Sequence, residues 1–157
     1  MRHGYQVQGS LTVNAAATKD YLSIKAAANQ RLILRSLHIG HDSAVSAQGV
    51  AFQLIVFSSG ATDVTGGAFT PIALDQGDTR PALSSSKSTV TANAANGGGS
   101  SKVVWEVGFD ILSPYNKVWQ KDASDEIAWE NGMFLVVRKI IGADATGLWR
   151  IVPNYEE

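Results

Sequence analysis

Residues 126–140 read EIAWENGMFLVVRKI, and this stretch decides the fold class. Its Asn131-Gly132 dipeptide is one that a two-residue type I′ turn favours, because both central positions of that turn need a positive φ. Apolar side chains flank the dipeptide on both sides. We therefore expect two antiparallel strands joined by this turn, with Trp129 facing Phe134 across a hairpin.

Short strand patterns continue along the rest of the chain. Apolar and polar side chains alternate over residues 31–39 and 102–112, and Gly, Asn, Asp or Ser ends most such stretches. About nine short strands with turns between them predict one domain over residues 1–157, an antiparallel β-sandwich or barrel. In the strand at 31–39 one face is expected to carry Leu32, Leu34, Ser36 and His38. Helical patterns are limited to three stretches, at 14–21, 26–31 and 43–49.

Two prolines limit the strands that contain them. Proline cannot donate to a strand ladder, so Pro71 predicts an edge strand or a bulge at residues 69–74. By the same argument the strand at 148–152 is expected to end at Pro153. Residues 153–157 would then form a short acidic tail.

The composition suits a folded protein without covalent cross-links. The chain has 157 residues, a formal net charge of −1 and no cysteine, which excludes disulfides and thiolate metal sites. So small a charge provides no general attraction for nucleic acid or an anionic membrane. No apolar stretch is long enough to span a bilayer, and the polar start is unlike a signal peptide. We expect a soluble protein made in the cytoplasm.

One tetrapeptide matches an enzyme motif. Residues 38–41 read HIGH, a nucleotide-binding signature of class I aminoacyl-tRNA synthetases and small adenylyltransferases. SSSKST at 84–89 resembles the lysine-bearing loop that accompanies it. That chemistry needs a long helix after a parallel strand, so that the helix N-terminus binds phosphate. Because a short Ser- and Ala-rich stretch follows His41, we interpret HIGH as coincidental and SSSKST as a solvated loop.

No other group of residues forms a convincing catalytic, cofactor or metal site. His38, His41 and Asp42 could share a metal ion only if the strand bends at Gly40, because residues three apart point to opposite faces. The DQGD turn at 75–78 has the oxygen atoms of a calcium loop but lacks a following bidentate glutamate. We therefore predict a protein that is not an enzyme, with no cofactor, metal or small-molecule substrate.

The four tryptophans divide into two pairs. Trp105 and Trp129 lie in patterned strands and are expected in the core. Trp119 and Trp149 are less determined by their surroundings. Either could be a surface platform for a sugar, or could be buried in the core or an interface.

Three stretches together share a pattern with a known group of proteins. An alanine-rich turn and an Arg-Leu-x-Leu strand are matched by VNAAATKDYLSIKAAANQRLILRSLHIG at 13–40. A TPxxLDxGD turn and a Ser/Thr/Ala-rich loop are matched by TPIALDQGDTRPALSSSKST at 70–89. A hydrophobic strand and Tyr-Glu-Glu are matched by LWRIVPNYEE at 148–157. In these features the chain is similar to small virion proteins of tailed bacteriophages.

The resemblance implies a jelly-roll β-sandwich that serves as a capsid decoration, or cement, protein. Such a protein would form homotrimers on the exterior of the virion head, bind the major capsid protein and be made in the host cytoplasm. The alternatives are another virion component, such as a head fibre base, tail or baseplate protein, and a carbohydrate-binding module. Tyr5, Trp119, Trp149 and Tyr155 are the predicted partner contacts.

The resemblance also suggests a role for the polar start of the chain. Residues 1–8 could form an arm that reaches a neighbouring subunit or the capsid protein, although a frayed terminus explains them equally well. If they form an arm, removing residues 1–8 is expected to weaken binding to the shell while the domain stays folded.

Overall fold

In the computed structural model of the protein, the described residues are 3–7, 9–13, 18–42, 47–75, 77–120, 124–142 and 147–157. They form thirteen strands and no helix, so none of them belongs to a helix that could cross a membrane. The strands are β1 (Gly4–Gln6), β2 (Gly9–Val13), β3 (Lys19–Lys25), β4 (Arg31–His41), β5 (Gly49–Phe57), β6 (Thr65–Phe69), β7 (Ile72–Ala73), β8 (Ser85–Ala92), β9 (Ser101–Asp110), β10 (Tyr115–Val118), β11 (Ala128–Glu130), β12 (Phe134–Gly142) and β13 (Gly147–Glu156).

Two antiparallel sheets pack face to face. The front sheet has the order β10–β4–β13–β1–β7, with β11 also pairing with β4 and β2 with β13. The back sheet has the order β6–β8–β3–β12–β5–β9. The chain passes repeatedly from one sheet to the other, as it does in jelly rolls. The predicted all-β antiparallel sandwich is confirmed, with thirteen strands in place of about nine.

Strand β13 is the central strand of the front sheet. It pairs with β4 on one side, and with β2 and then β1 on the other. Pro153 lies where the neighbour changes from β2 to β1, and its carbonyl accepts a hydrogen bond from Val7 N (3.2 Å). The missing N–H of proline therefore falls at an irregular point of the ladder, and the strand continues to Glu156. The prediction of a separate tail at 153–157 is wrong.

The described part of the predicted arm, residues 3–7, belongs to the front sheet. Strand β1 pairs with β13 on one side and with β7 on the other. Tyr5 lies opposite Tyr155 in this register, and the two ring centroids are 6.0 Å apart. Both rings are buried, as is Val7. This segment therefore contributes to the core instead of extending away from it.

At Arg35 the alternation of inward and outward side chains along β4 shifts by one residue. Leu32 and Leu34 are core residues, but the register with β13 shifts next to Arg35, between Leu34 and Ser36. Beyond this bulge the core positions are Leu37 and Ile39. Ser36 and His38 consequently face outwards, which corrects the single face predicted for this strand.

The Asn131-Gly132 turn forms, but the hairpin does not. Both residues have positive φ, 52° and 79°, as a type I′ turn requires. The strands on either side belong to different sheets, since β11 pairs with β4 and β12 pairs with β3 and β5. Trp129 is therefore not opposite Phe134: Trp129 lies in the main core and Phe134 on the outer side of the back sheet.

Pro71 divides the strand predicted at 69–74. Strand β6 ends before it at the edge of the back sheet, and β7 begins after it at the edge of the front sheet. The edge position is therefore confirmed, with the proline at the crossing between sheets.

Two local predictions fail in the described residues. The SSSKST stretch, predicted as a loop, lies mostly in β8, where Ser86 is buried and Lys87 Nζ donates to the carbonyl oxygen of Val64 (2.9 Å). Of the predicted helical stretches, 26–31 is a turn that leads into β4. Residues 14–17 and 43–46, in the other two stretches, lie outside the described residues.

Aromatic pairs join the two sheets in the main core. Trp149 of β13 packs against Phe52 of β5, with 5.3 Å between ring centroids, and edge-on against Tyr21 of β3 at 6.3 Å. At the other end of the core, Trp105 of β9 meets Trp119, just after β10, edge to face at 5.7 Å. Since each pair links a strand of one sheet to the other, these contacts stabilise the sandwich itself.

A second, smaller core covers the outer face of the back sheet. Phe57 and Phe134 stack with their ring centroids 5.1 Å apart, and Val64 and Ala94 pack with them. The last two come from connecting segments, which are joined by a bridge between Thr62 and Ala95. The segments on either side of this bridge therefore shield this face from solvent.

A buried ion pair fixes the connecting segment that contains Ala94, here called the covering segment, to the back sheet. The carboxylate of Asp20 is fully buried and accepts hydrogen bonds from Arg138 Nη2 (2.9 Å) and Ala94 N (2.7 Å). Arg138 Nη2 also donates to the carbonyl oxygen of Ala94 (3.1 Å). These bonds satisfy a charge that would otherwise be unfavourable inside the protein.

Replacing Tyr5 tests the role of β1. We expect Tyr5→Ala to reduce the free energy of unfolding by about 3–5 kcal/mol, because a buried aromatic ring is lost. Gln6→Ala, next to it but on the outward face, should change it by less than about 0.5 kcal/mol. Urea denaturation followed by tryptophan fluorescence measures both. Similar small effects of the two variants would contradict an inner position for β1.

The buried hydroxyl of Tyr21 predicts a pH effect. Burial raises the pKa of Tyr21, and its hydroxyl has no hydrogen-bond partner among the described residues. The folded state therefore favours the neutral phenol, and its contribution to stability is complete below about pH 10 and is lost as the pH rises further. We expect Tyr21→Phe to be at least as stable at pH 7 and to lose less stability between pH 9 and 11. Denaturation curves across that range test this, and an equal loss in both proteins would contradict it.

Candidate interaction surfaces

The two histidines of HIGH lie on opposite faces of β4. His38 faces outwards, with Nδ1 2.6 Å from Oδ1 of Asn116. Its ring lies above Gly40, where an added Cβ would be 3.1 Å from His38 Nε2. His41 instead packs edge-on against the buried Trp149, with the ring centroids 4.7 Å apart. The structure therefore separates the two histidines and gives each a different environment.

The acidic side chains of the DQGD turn make local hydrogen bonds. Asp75 Oδ1 accepts from Gly77 N (2.8 Å), and Asp78 Oδ1 accepts from Arg80 N (3.0 Å) and Arg80 Nε (3.1 Å). These bonds lower the pKa of Asp78, chiefly through the Arg80 amide. Across the part of the chain that the structure describes, no three His, Asp or Glu residues are arranged to hold a metal ion.

The four aromatic residues predicted as partner contacts are all core residues. Tyr5, Trp119, Trp149 and Tyr155 each expose at most 2% of their surface. The ammonium of Lys117 lies 4.9 Å from the ring centroid of Trp105 and 5.8 Å from that of Trp119, at the margin of this core. The rings therefore pack within the chain, and none presents a surface to a protein or a sugar.

A cleft of about 500 Å³ opens between β9 and residues 124–128. Its lining mixes apolar side chains, such as Ile127 and Met133, with Lys102 and Asp125. Glu126, also in its wall, already pairs with two arginines of β4. We interpret the cleft as a gap between two sheet edges, because its charged groups do not converge on one point.

The described residues between β7 and β8, 74–75 and 77–84, form a connection, here called the pinned turn, that is tied to the ends of β1 and β13. Glu157 accepts hydrogen bonds from Leu83 N (3.0 Å) and Ser84 N (2.9 Å), and also from the Ser84 hydroxyl. The hydroxyls of Ser84 and Tyr155 are 2.6 Å apart in the core. One end of the turn is thus fixed by backbone and side-chain bonds together.

The other end of the pinned turn is fixed to β1. Leu74 N donates to the carbonyl oxygen of Gly4 (2.9 Å), and His3 Nδ1 lies 2.6 Å from Asp78 Oδ2. At these attachments the turn exposes two large apolar side chains, Leu74 (51%) and Leu83 (60%). An exposed leucine on a fixed backbone loses little conformational freedom when a partner binds, so the turn is suited to contact.

The outer face of the front sheet carries one continuous row of side chains across five strands. The strand register aligns Val118, Ser36, Asn154, Gln6 and Ile72 in that order. In the adjacent row, Asn116, His38 and Val152 lie side by side. We call the two rows together the open face; its residues are Gln6, Ser36, His38, Ile72, Asn116, Val118, Val152 and Asn154. The two end residues of the long row are exposed, Val118 by 71% and Ile72 by 54%.

The open face contains no Asp, Glu, Lys or Arg among its residues, and ion pairs lie beside it. Arg35 pairs with Glu156 (2.8 Å) and Glu126 (3.4 Å), and Arg31 also pairs with Glu126 (3.2 Å). The hydrogen bond to Glu156 raises the pKa of Arg35. An uncharged centre with charged groups at the margin is typical of protein interfaces.

Sequence reasoning did not find either surface. The pinned turn depends on Glu157, which is distant in sequence from the Leu83 and Ser84 amides that it binds. For the open face a partial signal exists, because Val118 and Ile72 alternate with residues that face inwards. That alternation identifies an outward side chain but does not identify its neighbours on other strands. Those neighbours are known only from the strand register.

Comparisons with known proteins provide no family for the chain. No protein-family model matches it, and no curated protein matches it. Among solved structures, a chain in a structure of infectious bursal disease virus, Gx strain, is similar at 15% identity with a TM-score of 0.22. The similarity covers 99% of this chain and 42% of that one, so this chain spans less than half of the viral chain. At this TM-score it carries no argument about function.

Removing the Glu157 carboxylate should loosen the pinned turn. In Glu157→Ala the amides of Leu83 and Ser84 lose their acceptor. We therefore expect the hydrogen exchange of these two amides to become at least tenfold faster, which corresponds to a loss of about 1.4 kcal/mol of local stability. Glu130→Ala, an exposed glutamate at the Asn131-Gly132 turn, is the control. Unchanged exchange at these two amides would contradict the attachment.

Proposed function

We propose that the protein is a structural component of a tailed-phage virion, most specifically a head decoration protein that binds the major capsid protein. The observation that carries the proposal is the pinned turn. It presents apolar side chains on a backbone that is fixed at both ends. Such a surface binds a rigid partner with little ordering cost.

The pinned turn coincides with the stretch on which the resemblance rests. The TPxxLDxGD pattern begins at Thr70, and its two aspartates, Asp75 and Asp78, make the turn's internal hydrogen bonds. Its leucine, Leu74, is one of the exposed apolar residues. A pattern shared with small virion proteins is thus located where this fold is most suited to contact.

The ionisable groups of the chain also fit a structural role. Asp20 with Arg138, and Arg35 with Glu156 and Glu126, form pairs that connect strands or loops. Glu157 and Asp78 stabilise the pinned turn. A decoration protein performs no reaction: it stabilises a shell because it binds the assembled form, and many copies act at once.

The proposal includes the exterior of the head as location, the host cytoplasm as the site of synthesis, and a homotrimer as the bound form. A place elsewhere in the virion, in the tail, the baseplate or a head fibre base, is the alternative that its surfaces equally permit. A carbohydrate-binding role is not proposed, since Trp119 and Trp149, the rings that suggested it, are buried.

Binding to empty shells tests the proposal. The probe is a shell assembled from the major capsid protein encoded in the same phage genome, and sedimentation with the shell measures bound protein. We expect Leu83→Ser to weaken binding at least tenfold, because the loss of a central contact residue costs about 2 kcal/mol or more and about 1.4 kcal/mol is already a tenfold change. Leu112→Ser, at an equally exposed leucine between β9 and β10, should bind like the unmodified chain.

Each outcome of the shell experiment has a clear meaning. Absence of binding by the unmodified chain would overturn the decoration role and favour a place elsewhere in the virion. Equal weakening by both variants would remove the pinned turn as the contact. The mass of the bound species after release from the shell tests the trimer.

A further inference from the structure

The long row of the open face has the same chemical order from either end. It reads aliphatic, polar, amide, polar, aliphatic, because Val118 and Ile72 are its ends and Asn154 its centre. Ser36 and Gln6 occupy the intermediate positions. A surface whose chemistry reverses onto itself is complementary to a second copy of itself across a two-fold axis.

We propose that the open face binds a second copy of this chain in a face-to-face, two-fold symmetric contact. The axis would run along β13, in the plane between the two front sheets. It would place Val118 of one copy against Ile72 of the other, and Ser36 against Gln6. Both aliphatic ends, each more than half exposed in the single chain, would then be covered.

Asn154 would lie against its own counterpart at the centre. Asn154 Nδ2 donates to Ser36 Oγ (2.7 Å), and Asn154 Oδ1 is buried with no hydrogen-bond partner among the described residues. The proposed contact at the centre is therefore packing of the two side chains, without an amide–amide hydrogen bond. Small side chains at the centre also allow two sheets to approach to roughly 10 Å, the usual separation of packed sheets.

The size of the face predicts a reversible contact. Five strands at about 4.8 Å and two residue rows at about 6.6 Å give a flat area of roughly 300 Å² per copy. This lies below the roughly 800 Å² per partner of a standard stable interface. We therefore expect association that depends on protein concentration.

The asymmetry of the sandwich supports a partner at this face. Connecting segments cover the outer face of the back sheet with a second core, whereas the centre of the open face, at Ser36 and His38, is only partly buried. The inference does not rest on the decoration role, because it concerns a different surface from the pinned turn. The two are compatible, since subunits on a closed shell also meet across two-fold axes.

Charge substitutions at the two ends of the row test the pairing. Val118→Glu and Ile72→Lys are both at exposed positions of edge strands, and thermal unfolding should confirm that each variant is folded. Sedimentation velocity over a concentration series measures association of the full chain. Because symmetry repeats each substitution, either variant alone should raise the dissociation constant at least tenfold. Leu112→Glu, away from the face, should leave it unchanged.

Mixing the two variants identifies the geometry. In the mixture Glu at position 118 of one copy faces Lys at position 72 of the other, so association should recover as a species of two copies, or two trimers if the chain is trimeric. Failure to recover would overturn the proposed register. An unmodified chain that shows no doubling of mass at millimolar concentration, or a mixture that forms longer assemblies, would overturn the two-fold contact, whatever the shell experiment shows.

Discussion

The insertion of β13 between β4 and β1 is the constraint on which the rest of the structure depends. This strand supplies Trp149 and Tyr155 to the core and aligns Asn154 with the rows on either side. Glu157, the residue that follows β13, fixes the pinned turn. A strand that pairs with segments far from it in sequence closes large loops when it forms these ladders, which costs conformational entropy. Both candidate surfaces therefore depend on these long-range ladders.

The buried Asp20–Arg138 pair explains why the two outer faces of the sandwich differ. An isolated buried carboxylate is very unfavourable, and here Arg138 and the Ala94 amide together satisfy it. Because Ala94 belongs to the covering segment, displacement of that segment would deprive the Asp20 carboxylate of the hydrogen bond from Ala94 N. The pair therefore keeps the back sheet covered. The front sheet has no described counterpart of this arrangement, and its ion pairs lie beside the open face rather than beneath a loop.

The sequence predicted the fold class because alternation and turn dipeptides are local signals. Asn131-Gly132 was predicted as a turn and adopts the expected φ values, but the partner of each flanking strand was not predictable from them. The bulge at Arg35 and the passage of β13 through Pro153 are also decided by neighbouring strands. The same limit applies to the surfaces. The predicted aromatic contacts are core residues, since apolar rings have the same pattern in a core and in an interface, and only burial distinguishes the two.

The physical contrast between the two surfaces argues for a division of roles. The pinned turn is narrow and rigid and carries two exposed leucines, which suits insertion of one or two side chains into a preformed site. The open face is broad and uncharged but has only scattered apolar groups, so each contact that it makes is weak. A weak contact becomes significant when the molecules that make it are already held side by side, because attachment through one surface raises the effective concentration for the other. Binding through the pinned turn would therefore strengthen self-association through the open face, and self-association would in turn strengthen binding.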